Sequence, residues 1–286
     1  MYPTLLEIGP LKLHMYGLMI AIGFLTALYL AQRDVQRGGY DPKIISEMGF
    51  IALLAGLAGT RLAHILLYPS DYSWSDPIGW VAIWRGGLVF QGAIPVAFAY
   101  AWFGLKQRGL PFWVFADFVL PYLPLAQAFG RIGCFFKGCC FGMRCDALPW
   151  AIRFPKDSPA FIAHALRYPE LSYQTDSWSF PVHPTQLYSA VGLLMIVGAL
   201  LLVRKYWKPF DGICLAMYFI LYGAMRFIVE FFRGDGNPRT LGWDVLSNQQ
   251  MFCLVFILIG VVIFVIRYRQ RGAPSSRNGG PPPKPH

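Results

Sequence analysis

Apolar residues along this chain gather into seven long runs separated by short polar segments: Leu13–Ala31, Ile44–Tyr68, Gly86–Leu105, Pro111–Phe129, Pro184–Val203, Gly212–Phe232 and Gln250–Ile266. Each is about 17–25 residues long, the length a helix needs to cross a hydrocarbon core of ~30 Å. The pattern predicts an all-α integral membrane protein with seven transmembrane helices, spread over residues 1–271. One longer polar stretch, about Cys134 to Val182, is expected to form a small outward-facing head. Within it Trp150-Ala-Ile-Arg-Phe-Pro alternates as a short strand would. Residues 272–286, rich in Gly, Pro and Ser, carry too little apolar surface to order and are expected to form a disordered tail. No solenoid-period repeat and no duplication of the two halves is visible, which tells against an inverted-repeat transporter.

Composition supports the membrane reading. The 286 residues are 56% hydrophobic and 14% charged, with a mean hydropathy of +0.44, whereas soluble domains carry roughly a quarter charged residues. The net charge of +10 does not point to nucleic acid, because the basic residues flank the apolar runs instead of forming a stripe. Arg33, Arg37 and Lys43 lie between the first two runs, Lys106 and Arg108 between the third and fourth, and Arg204, Lys205 and Lys208 between the fifth and sixth. Arg267, Arg269, Arg271, Arg277 and Lys284 follow the last. By the positive-inside rule these segments are cytoplasmic, so the C-terminus is expected inside and the N-terminus outside. The first run is longer than a signal-peptide core and no small-x-small site follows it, so it is expected to be retained.

Charge inside the apolar runs is the chemical signal. Tyr222, Arg226 and Glu230 recur every four residues within Gly212–Phe232 and share one helix face. A charge at membrane depth costs several kcal/mol unless it meets a partner, water or ligand. Arg131 stands between Gly130 and Gly133 near the end of another run. A planar guanidinium fork suits phosphate, so the two arginines suggest an anionic lipid headgroup. The structural alternatives are an Arg226–Glu230 pair that only fixes helix packing, and an Arg131 that snorkels to the interface. Gln91, His14 and Tyr16 fit interhelical bonding or interfacial anchoring as well as a site. His183-Pro-Thr-Gln reads as a helix start. Cys134, Cys139, Cys140 and Cys145 match no usual zinc or iron–sulfur spacing. For these thiols a structural role comes first, a disulfide second and a metal last, and a reactive thiol beside Arg131 also stays open. Cys214 and Cys253 read as small residues within spans.

Taken together, His14-Met-Tyr-Gly, Gly86-Gly-Leu with Gln91-Gly, Gly130-Arg-Ile-Gly-Cys-Phe-Phe-Lys-Gly-Cys-Cys-Phe-Gly, His183-Pro-Thr-Gln-Leu-Tyr and Tyr222-Gly-Ala-Met-Arg-Phe-Ile-Val-Glu-Phe-Phe-Arg resemble the prolipoprotein diacylglyceryl transferase family of bacterial inner membranes. The segments occur in family order over nearly the whole chain. The resemblance implies transfer of the diacylglyceryl group of phosphatidylglycerol to the lipobox cysteine thiol of a preprolipoprotein, forming a thioether and releasing glycerol phosphate. It implies Arg131 and Arg226 at the phosphate, Glu230 orienting Arg226, and Tyr222 and Tyr16 at the headgroup or peptide. His14, Cys134 and Cys139 would line the lipid site, and neither a metal nor an organic cofactor is implied. Gln91 stands where many members carry a histidine, Cys134 and Cys139 where many have asparagine and glutamate, and Ser189 where glutamate is frequent. Glutamine cannot serve as a base, so a paralogue with altered substrate is one alternative. A membrane thiol oxidoreductase built on Cys139 and Cys140 is another. A retinal-type receptor is disfavoured, because the last two runs hold no lysine.

Overall fold

The computed structural model describes residues 4–8, 11–73, 75–82, 87, 89, 92–235 and 246–271. An antiparallel hairpin, β1 (Thr4–Ile8) and β2 (Leu11–His14), leads into α1 (Met15–Arg37). There follow α2 (Lys43–Leu67), α3 (Pro77–Val81), α4 (Ala93–Gln107), α5 (Phe112–Val119), α6 (Leu123–Lys137), α7 (Pro159–Arg167), α8 (Thr185–Tyr206), α9 (Ile213–Glu230) and α10 (Asn248–Gln270). The hairpin adds to the expected all-α class. Leu11-Lys-Leu-His has the two-residue period of a strand, so the first span starts at Met15 and not at Leu13.

Five helices, α1, α2, α8, α9 and α10, are long and apolar enough to cross a membrane, and α5 with α6 would make a sixth. The chain is therefore a helical multi-pass membrane protein. The run Pro111–Phe129 was expected to be continuous but bends by 40° between α5 and α6. Pro121 falls in the break and Pro124 in the first turn of α6, and proline can neither donate the i→i−4 bond nor clear the preceding turn. Helix α6 then continues past Phe129 to Lys137, so Arg131 and Cys134 belong to a helix and the head begins only at Gly138. Gly138 ends the helix at φ 74°, a left-handed cap open to glycine. Of the expected third span, Gly86–Leu105, the residues from Ala93 onward form α4, which has 15 residues. Gln91 lies outside the described residues, as do Arg85, Gly86 and the tail from 272 to 286.

The chain divides into two compact units. One comprises Met1–Leu30 with Ala116–Pro274, and the other includes Ala31–Phe115. In the first, α8 packs on α6 and α9, and α9 on α10. Gly223 and Gly260 allow the last approach: a Cβ on Gly223 would stand 2.9 Å from the Cys253 carbonyl oxygen, and one on Gly260 2.8 Å from that of Ala216. Leu200, Ile213 and Cys214 are fully buried beside Tyr218. Asp117 on α5 accepts from the Gly212 and Cys214 backbone amides, both at 2.9 Å, and pairs with Lys208 at 3.1 Å. It thereby satisfies orphan donors at the start of α9. In the second unit α2 packs on α4. Arg61 of α2 donates to the carbonyls of Trp80 (3.1 Å), Gly87 (3.0 Å) and Gly79, with Tyr72 beneath its guanidinium.

Residues 138–182 form the head around Phe141, Phe154, Ala160 and Val182. The stretch expected to be a strand makes only isolated bridges, Ile152 to Val182 and Pro155 to Trp178. Pro155 has no amide to extend the ladder. Ser158 caps α7 through the Phe161 amide. His164, on α7, is buried among Phe141, Tyr168 and Phe180, and its Nδ1 has no partner. Burial first, then the Arg144 and Arg167 charges, hold its pKa below the ordinary 6.5. The unfolded chain therefore binds this proton more readily, so the contribution is intact above about pH 6.5 and is lost as pH falls below it. Hydrogen-exchange protection across residues 138–182, corrected for the pH dependence of intrinsic exchange, should fall in the native protein as pH drops below about 6.5. His164→Phe should flatten that response, and an unchanged profile in the variant would sink the assignment.

Candidate functional site

Five helix ends of the first unit supply the site: the starts of α1, α8 and α10 and the ends of α6 and α9. On α6, Gln127 donates to the Tyr218 hydroxyl of α9 at 2.8 Å. That bond sets the register that follows, with Arg131 one turn beyond Gln127 and Arg226 two turns beyond Tyr218. Arg131 and Arg226 lie within electrostatic reach of each other, and Arg226 is also within reach of Arg233 and Tyr222. Among the described residues, no carboxylate or carbonyl engages the Arg131 guanidinium.

Arg226 and Glu230 are 5% and 7% exposed, and Arg226 Nη1 donates to Glu230 Oε2 at 2.6 Å. The carboxylate does more than pair with its own helix. It accepts from Ser247 Oγ at 3.2 Å and stands 3.8 Å from Arg233 Nε. Ser247 is the N-cap of α10 and completes a capping box with Gln250, whose side chain accepts from the Ser247 amide at 2.9 Å. Arg233 is held by Asp235, Nε to Oδ1 at 2.8 Å. Arg226 and Arg233 thus share Glu230 and Asp235, and Arg131 has no carboxylate partner among the described residues. Tyr222 stacks on Tyr218 with centroids 5.5 Å apart.

Past Gly138 the chain reverses, with Cys140 also left-handed at φ 59°. The carbonyls of Cys139 and Cys140 accept from Gln186 Nε2 and Thr185 Oγ1 in the first turn of α8, both at 2.8 Å. The sulfurs of Cys134, Cys139 and Cys140 all lie within 4.8 Å of one another, and every cysteine is a free thiol. Hydrogen bonds from Cys134 and Cys139, and then the Arg233 and Arg131 charges, pull the Cys140 pKa down. Sharing hydrogens with Cys134 and Cys140 pushes Cys139 up. Tyr16 sits against Gly133, within reach of the three thiols and Arg131. His14 and Tyr16 line a cavity of about 400 Å³ with Lys137 and Lys156.

The structure therefore gathers Tyr16, Arg131, Cys134, Cys139, Tyr222, Arg226 and Glu230 in one region, with His14 at the adjoining cavity. Sequence reasoning missed Arg233 and Ser247, which sit outside the apolar runs. The Ser-x-x-Gln capping pattern at Ser247 was the available signal. It also passed over Arg61 and Asp117, whose partners are backbone groups distant in sequence.

The sequence matches the family described as prolipoprotein diacylglyceryl transferase over residues 3–266. A relative from Methylococcus capsulatus, named phosphatidylglycerol–prolipoprotein diacylglyceryl transferase, is 34% identical over 280 residues, covering 95% of this chain and 97% of its own. Proteins of the same name from Pseudomonas paraeruginosa and Aeromonas hydrophila are 33% and 32% identical over 279 and 273 residues, covering 95% and 94% of this chain and 95% and 91% of their own.

The shared carboxylate makes a stability prediction. Glu230→Leu alone strands the buried Arg226 guanidinium and should cost about 3–5 kcal/mol, whereas Glu230→Leu combined with Arg226→Met should recover much of that loss. Thermal unfolding in detergent reads the difference. Equal losses in single and double variants would show that Glu230 does not balance Arg226.

Proposed function

This chain belongs to the prolipoprotein diacylglyceryl transferase family, and we propose that it transfers the diacylglyceryl group of phosphatidylglycerol to the lipobox cysteine of prolipoproteins with Arg131 and Arg226 on the lipid phosphate. The observation that supports this reading is that Arg131, within reach of Arg226, has no carboxylate or carbonyl partner among the described residues. Phosphate is the anion that a guanidinium fork grips by two parallel bonds.

The substrate thiolate attacks the glycerol carbon that bears the phosphate ester. A carbon–sulfur bond forms, the carbon–oxygen bond breaks, and glycerol phosphate departs with the bonding electron pair. Arg131 and Arg226 neutralise the charge growing on that leaving group. Their field, with that of Arg233, also favours ionisation of the incoming thiol, which titrates near ~8.5 when free. Glu230 keeps the Arg226 fork oriented. Tyr222 and Tyr16 contact the headgroup or the peptide. Cys134, Cys139 and His14 border the lipid.

The protein sits in the inner membrane with seven spans: α1, α2, α4 with the residues before it, the broken α5–α6, α8, α9 and α10. Basic residues concentrate after α1, α4, α8 and α10, which puts those ends in the cytoplasm and the N-terminus outside. The start of α1, the ends of α6 and α9 and the head then share the outer face.

Proteoliposomes containing phosphatidylglycerol and a lipobox peptide test the assignment by mass shift. Arg131→Gln and Arg226→Gln should each lower transfer by about 10²–10³-fold while the protein stays in the membrane. Full activity in either variant refutes the phosphate assignment. Replacing phosphatidylglycerol by a zwitterionic phospholipid should abolish the shift. Gln91→His should change the rate only severalfold, because the arginines supply the thiol ionisation. A gain of orders of magnitude would mean that this site lacks a base it needs.

A further inference from the structure

Chain spacing hides what the turn after α6 does with its thiols. Cys134 occupies the last turn of the helix, and the two left-handed residues Gly138 and Cys140 fold the chain back so that Cys139 and Cys140 return to it. All three sulfurs lie within 4.8 Å of one another, unbridged and half-buried. Gln186 and Thr185 fix the reversal from α8, so the arrangement is not a chance meeting of loose side chains.

We propose that Cys134, Cys139 and Cys140 form a binding site for a soft, thiophilic monovalent cation, with Cu(I) the best fit. Three arguments select that class. The donor set within the cluster is sulfur alone, and thiolates favour Cu(I), zinc and iron–sulfur centres over harder ions. The number of donors is three. Structural zinc takes four protein ligands, whereas a trigonal ion is complete with three. With metal–sulfur bonds of ~2.3 Å, a trigonal ion holds its sulfurs ~4 Å apart, so the observed cluster needs only small side-chain rotations to close.

Charge is the third argument. Binding expels the three thiol protons, and three thiolates around a monovalent ion carry a double negative charge. Arg131 and Arg233 both lie within electrostatic reach of Cys140 and offset part of that charge, Arg233 being held by Asp235 as well. The site stands on this geometry and does not depend on the transferase reading.

The test uses the full-length chain, reduced and anaerobic in detergent micelles, titrated with Cu(I) against a chromophoric Cu(I) chelator. Retention of one Cu(I) per chain is expected, with X-ray absorption reading a shell of three sulfurs. On the unaltered protein, bound Cu(I) should protect Cys134, Cys139 and Cys140 from alkylation and leave Cys145 reactive, as read by peptide mass spectrometry. Cys140→Ser should weaken binding by at least about tenfold. A chain carrying Cys145→Ser, Cys214→Ser and Cys253→Ser together should bind as before. No retained copper, unchanged affinity in Cys140→Ser, protection that falls on other cysteines, or displacement by equimolar Zn(II) would each overturn the proposal.

Discussion

A carboxylate at the end of α9 carries the electrostatic balance on which this membrane site depends. Buried in apolar surroundings, Glu230 would be costly alone, and so would the Arg226 guanidinium one turn before it. Together they satisfy each other at 2.6 Å. Glu230 then extends the arrangement by accepting from Ser247 and facing Arg233. One side chain thereby ties the end of α9 to the start of α10 and keeps like charges tolerable at close quarters. Arg131, without a carboxylate partner among the described residues, lies within electrostatic reach of that paired group.

The remaining geometry follows from helix ends brought to one place. Each end exposes backbone groups that need partners, and the fold meets that need with residues that also shape the site. Gly138 turns the chain out of α6, Gln186 and Thr185 of α8 hold the turn, and Ser247 caps α10 while reaching Glu230. The head is stitched to the exit of α9 by backbone bonds, Met143 to Phe232 at 2.8 Å and Gly234 to Phe141 at 3.1 Å. Those bonds place Arg233 beside the thiols without any side-chain pair directing it there.

Much of this was legible in the chain itself. Arg226 and Glu230 announced themselves because charge within an apolar run is costly, and a spacing of four put them on one face. Five of the apolar runs fall on helices long and apolar enough to cross a membrane for the same reason: long apolar runs leave little choice. The bend at Pro121 and the extension of α6 to Lys137 were missed, since run length was weighed above proline position. Arg61 and Asp117 were passed over because their roles depend on backbone groups 18–26 and 95–97 residues away. The thiol cluster was invisible for a different cause. A C-x4-C-C spacing matches no familiar metal motif, and only a helix end followed by a left-handed reversal converts it into proximity.

Asp117 has a consequence for the opposite end of α9. Its carboxylate clamps the first amides of that helix while Glu230 and Ser247 secure the last turn, so the rod is keyed at both extremities and cannot swivel about its own axis. Tyr222, midway along, keeps a constant bearing whatever occupies the space it faces. Divergence towards a different lipid would therefore have to be written into the flanking helices, with α9 serving as the unmoving keel against which they are refitted.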